Sequence, residues 1–118
     1  MTFVDKLRDI GQKPGLYLGQ SPSLSHLFSF IVGFQSGRMC SDDTSVLDSF
    51  EFWVYHHYSE TGSRHWQQII RQHAGGDDAL AFRRFFEHLE EYLAERERIG
   101  SDAIKARYMQ IFSAEAQS

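Results

Sequence analysis

At 118 residues and 13.7 kDa the chain is expected to form one domain over 1–118, since a second core would leave each half at about 60 residues, where a core is marginal. Its 42% hydrophobic and 24% charged residues describe a globular protein rather than a disordered one, with about 6,600 Å² of folded surface expected from size scaling. Twelve basic against sixteen acidic residues give a net charge of −4, which argues against nucleic acid as a ligand and suits a basic protein partner.

In chain order, Thr2 with Asp5 approximates a capping box ahead of Leu7 and Ile10, a first short helix. Gly11 is read as its C-cap, and Pro14 pushes Lys13 out of helical space. Leu16-Tyr17-Leu18 follows as a short extended apolar segment. Ser21-Pro22 is read as an N-cap with proline at the first helical position. Leu24, Phe28 and Ile31, flanked by Leu27 and Phe34, then share one helical face up to about Met39.

Ser41-Asp42-Asp43-Thr44 breaks the chain again. Val46, Phe50, Trp53, Val54 and His57 share the face of a third helix, although Phe52 and Tyr55 keep a strand possible over 50–58. After Thr61-Gly62-Ser63, the residues Trp66, Ile69, Ile70 and His73 make a short helix ended by Gly75-Gly76. Asp77 caps the clearest helix, in which Phe82, Phe86, Leu89 and Leu93 form a stripe widened by Phe85 and Tyr92. Ile104, Tyr108, Ile111 and Phe112 suit a last helix packed back on the bundle, with fraying expected over 114–118. The fold expected is therefore all-α, a compact single-domain bundle of about five to six helices joined by short loops.

Few residues invite chemistry. Cys40 is the only cysteine, so an internal disulfide and a Cys-rich zinc site are both excluded. His56 and His57 are adjacent and point about 100° apart on a helix, so one ion cannot take both from one face. Glu87-His88 with Glu91 has the i, i+3 spacing of carboxylate metal sites but lacks the matching pair from other helices, and reads as a solvated acidic face. No metal and no cofactor are expected. Asp42-Asp43 and Asp77-Asp78 stand just before helices, where a carboxylate offsets the helix dipole, and no nucleophile elbow or phosphate-binding loop is present. No stretch approaches about 18 apolar residues and Met1–Lys6 opens no leader pattern, so no membrane association is expected and the compartment expected is the cytoplasm. Asp9–Gly19 resembles a segment near the start of gyrase-type ATPase domains. The following helix, however, carries Ser29, Phe30, Gly33 and Gln35 in place of the acidic base and metal-binding Asn.

Five blocks recur in one order: Lys13-Pro14-Gly15-Leu16-Tyr17-Leu18-Gly19; Ser23-Leu24 running to Gly33-Phe34; Phe50-x-x-Trp53-Val54; Ser63-x-x-Trp66-x-x-Ile69-Ile70; and Ala81-Phe82-x-x-Phe85-Phe86-Glu87-x-Leu89-x-x-Tyr92-Leu93. This pattern, over roughly residues 5 to 94, resembles a family of small bacterial immunity-like proteins associated with polymorphic toxin systems. It departs from the family at Lys13, where Arg is usual, at Gly33-Phe34-Gln35, where a Gly-Tyr pair is common, and at His88.

The resemblance implies a cytoplasmic, non-catalytic protein that neutralises a cognate protein toxin by occluding its active site or substrate groove. It implies no cofactor and leaves the oligomeric state open. Such a surface needs aromatic anchors ringed by charge, and the candidate partner-binding residues are Asp42, Asp43, Asp48 and Glu51 in one cluster and Glu87, Glu90 and Glu91 in another. Two alternatives stand beside it. One is a regulatory or structural protein with a non-toxin partner; the other is a small-ligand binder or enzyme using Tyr17, His57 or Glu87.

Overall fold

The computed structural model describes residues 3–15, 23–37, 44–47, 49–60 and 65–117, with side chains described outside 34–37, 44–45 and 111–117. The expected extended segment 16–18, Cys40, Asp42, Asp43 and Asp48 lie outside the described residues. Among the described residues, six α-helices and one 3-10 turn form an all-α bundle, with no strand. The accessible surface is 6780 Å², close to the size-scaling expectation.

Helix α1 (Phe3–Gln12) buries Phe3, Leu7 and Ile10, which recur at helical spacing and leave the rest of the helix to solvent. Gly11 is not a cap: it lies inside α1, where a Cβ would come within 2.9 Å of the Phe86 ring. Its missing side chain lets the two backbones approach. The helix stops at Gln12, one residue before the Lys13-Pro14 step at which a stop was expected.

Helix α2 (Leu24–Gly37) starts two residues after the expected proline, capped by Ser23, whose Oγ accepts from the His26 amide at 3.3 Å. Leu24, Leu27 and Ile31 are its buried face, with Phe28 half-buried beside them. A 3-10 turn (Thr44–Leu47) leads into α3 (Phe50–Tyr58), which is helical throughout, so the strand alternative is excluded. Phe50, Trp53, Val54 and Tyr55 are buried on it, whereas His57 is exposed and stacks on Trp53 at 4.9 Å.

Helix α4 (Trp66–His73) begins at a reciprocal cap. His65 Nδ1 accepts from the Gln67 amide at 3.2 Å, and Gln68 Oε1 accepts from the His65 amide at 3.3 Å. Its end is a Schellman turn in which Gly75 and Gly76 take φ of 69° and 83° and donate to Gln72 O and Arg71 O. Helix α5 (Asp78–Ile99) is capped by Asp77 Oδ1 on the Leu80 amide at 3.0 Å, as expected. Its buried stripe is Ala81, Phe82, Phe85, His88, Leu89 and Tyr92, rotated from the expected one, since Phe86 and Leu93 are only half-buried. Helix α6 (Ser101–Gln117) returns along α3 and buries Ile104 and Tyr108.

The core is built on rings. Phe50 meets Trp66, Phe85 and Tyr92 edge-on at 5.2, 5.5 and 5.3 Å, joining α3, α4 and α5 at one point.

Candidate functional site

Helix α5 carries both polar features that distinguish this molecule. Phe86 and Glu90 project from one side of it toward α1, and His88 projects from another toward α3.

Between α1 and α5 runs an open groove of about 440 Å³, lined by Gly11, Phe82, Arg83, Phe86, Glu87 and Glu90. Its floor is aromatic because Gly11 lets the Phe86 ring lie against α1. Its rim is charged. Arg8 grips Glu90 through Nε and a terminal nitrogen, at 2.7 and 3.0 Å, and this contact holds the Glu90 carboxyl below its ordinary range. Glu87 is exposed on the same rim.

On the other side of α5, the structure assembles a cluster of rings that the sequence does not announce. His88 is 4% exposed, not solvated. The Tyr58 hydroxyl lies 2.6 Å from its Nε2, and Glu91 Oε1 lies 3.4 Å from its Nδ1. The His57 ring sits 4.7 Å away and the Trp53 ring 5.3 Å, while His73 of α4 stacks on Tyr58 at 4.2 Å. Burial holds His88 below the ordinary imidazole range, against the pull of Glu91, and pushes the Tyr58 hydroxyl up, against the pull of Arg84. Both shifts favour neutral side chains. The Tyr58–His88–Glu91 line ties α3 to α5.

A second polar knot ties the starts of α2 and α5. Ser23 Oγ donates to Asp78 Oδ2 and lies 2.9 Å from His26 Nδ1, and Asp78 Oδ1 is 3.5 Å from Arg71 Nε. Asp78 thus does more than offset a helix dipole; it joins two helix starts to the end of α4.

The expected acidic residues divide accordingly. Asp42, Asp43 and Asp48 lie outside the described residues, and their companion Glu51 is half-buried, accepting from the Tyr55 hydroxyl at 2.6 Å. Glu87, Glu90 and Glu91 are exposed on α5, with Glu90 turned to α1 and Glu91 to the ring cluster. Of the aromatic residues in the five blocks, Trp53 and Trp66 are buried, and Tyr17 lies outside the described residues.

His88 is the residue that sequence reasoning missed. Its signal was available: it stands three residues after Phe85 and four before Tyr92, inside the buried stripe. Among the described residues no three His, Cys, Asp or Glu side chains are grouped to hold a metal ion, and no helix is long and apolar enough to cross a membrane. No family model, curated protein or solved structure matches the chain.

Proposed function

We propose that this chain is a non-catalytic binding protein of the bacterial cytoplasm that neutralises a cognate protein toxin by covering its active site. The observation that supports this best is the groove between α1 and α5, where Phe82 and Phe86 form an apolar floor and Arg83, Glu87 and Glu90 a charged rim. Interfaces of this kind place a few aromatic anchors under a ring of polar groups that excludes water. The net charge of −4 adds long-range attraction for a basic partner. The resemblance of the five sequence blocks to immunity-like proteins supplies the class of partner. The polar groups elsewhere are engaged in holding helices together, as Tyr58 with His88 and Ser23 with Asp78.

The test uses the product of the reading frame next to this one. Expressed alone it should arrest growth, and expressed with this chain it should not. The purified pair should form a stoichiometric complex. Glu87→Lys, placed on an exposed helix position, should leave the far-ultraviolet circular dichroism unchanged and weaken that complex by at least about tenfold, the cost of reversing a rim charge at an interface. Failure to restore growth, together with no complex, removes the toxin reading. A complex without toxicity transfers the surface to a regulatory partner.

A further inference from the structure

We propose that the seat of α3 on α5 around His88 is an acid-sensitive latch: neutral His88 ties Tyr58 to Glu91, and its protonation loosens the contact between the two helices. This inference concerns the fold and does not rest on the identity of any partner.

The geometry assigns the protons. A neutral imidazole has one donor and one acceptor, and both are used here. Nδ1–H points to Glu91 Oε1 at 3.4 Å, and the Nε2 lone pair receives the Tyr58 O–H at 2.6 Å. This tautomer follows from the two partners, as it must where hydrogens are inferred. A proton added at Nε2 would confront the Tyr58 hydrogen, so the phenol must turn its O–H away in a half-buried setting. The new charge would sit on a ring that is 4% exposed, with little water to solvate it.

Titratable groups face His88 and Tyr58 from α3, α4 and α5. On α3, His57 lies 4.7 Å ring to ring and opposes a second positive charge. On α4, His73 stacks on Tyr58 and lies 3.6 Å from Glu60 Oε1. On α5 itself, Arg84 acts on Tyr58, while Glu87 and Glu91 favour a charged His88. Glu91 is 55% exposed, so solvent screens its attraction, and burial prevails. His88 therefore binds its proton less readily folded than unfolded, where the ordinary value is 6.5. In that window the unfolded chain holds more protons, so stability rises with pH. The latch is fully closed above about pH 6.5 and its contribution is lost as pH falls through the folded value.

The experiment follows the full chain from about pH 8 to about pH 5, the range over which imidazoles titrate. The His88 ring signal is read by proton–carbon correlation NMR, and urea unfolding midpoints are measured at each pH. The wild type should show His88 titrating below the ordinary value and a midpoint that falls on acidification. In His88→Phe the midpoint should fall less far over the same range, and an equal fall overturns the latch. His56 and His65, also held down by burial, contribute equally to both proteins. Tyr58→Phe provides a second reading should His88→Phe not fold: without the donated O–H, the His88 titration should move up toward the ordinary value. The latch is overturned by a wild-type His88 that titrates at or above the ordinary value, or by Tyr58→Phe leaving its titration where it was.

Discussion

Ser59 ends α3 with φ 55° and ψ 41°, a left-handed backbone that side chains other than glycine rarely adopt. The amides of Ser59 and Glu60 close the turn on His56 O and Tyr55 O, the same pair of bonds that Gly75 and Gly76 make at the end of α4. One helix thus stops with the residue suited to the task and the other without it. A left-handed L residue costs about 1–2 kcal/mol, and glycine gives back about 0.5–1 kcal/mol through its freedom in the unfolded chain. Ser59→Gly should therefore stabilise the protein by roughly 0.5–1 kcal/mol, since the exposed serine side chain has little packing to lose. Urea unfolding of the two proteins at one pH measures this directly. An unchanged or lowered midpoint would mean that the turn relaxes at no cost in the native chain.

At the scale of the element, the helices that read most plainly are those buried on one side. Asp77 and the double glycine after α4 were legible because cap and stop signals act over a short stretch. Helix α3 reads as a helix with a strand alternative left open, because it is buried on two sides. Phe50, Trp53 and Val54 turn to the core, while Phe52 and Tyr55 meet Tyr108 of α6 at 5.3 and 5.1 Å. A segment with apolar residues in both directions loses its single face, and its alternation imitates a strand. His88 was misread for a related reason. A polar residue on an apolar stripe is interpretable only through its partners, and Trp53, His57 and Tyr58 stand on another helix. The rotation of the α5 stripe toward Phe85 has the same origin, because Gly11 holds Phe86 at the α1 edge instead of the centre. Helix α6 depends on few described anchors, chiefly the fully buried Ile104 and the largely buried Tyr108. Ile104→Ala should thus destabilise the fold by about 2–5 kcal/mol, the transfer and cavity cost of a core isoleucine. Lys105→Ala, at an exposed neighbouring position, should cost far less. Comparable losses for the two would show that the burial of Ile104 is not what seats α6 on α3.

Over the whole molecule, cooperativity depends on how many elements share one packing centre. Phe50 is fully buried, stacks with Trp53 at 6.3 Å, and meets Trp66 of α4 and both Phe85 and Tyr92 of α5 edge-on. Tyr92 in turn donates its hydroxyl to Val46 O at 2.5 Å, so the turn before α3 is tied to the same centre. Ser49 Oγ, just ahead of Phe50, donates to Ser101 O at 3.3 Å and brings in the start of α6. Removing the Phe50 ring therefore opens a void shared by α3, α4 and α5, where no single element can shift to fill it. Edge-to-face ring pairs add about 0.5–1.5 kcal/mol beyond the area they bury, and this ring makes three. Phe50→Ala should cost about 3–5 kcal/mol, a large part of the roughly 5–15 kcal/mol that holds a domain of this size together. The loss should appear as one transition at lower urea, coincident by tryptophan fluorescence and by far-ultraviolet circular dichroism. Trp53 and Trp66 report from beside the cavity while the dichroism reports the helices together. Two separated transitions would show instead that part of the helical content survives after the ring centre has opened, and that the bundle contains two folding units.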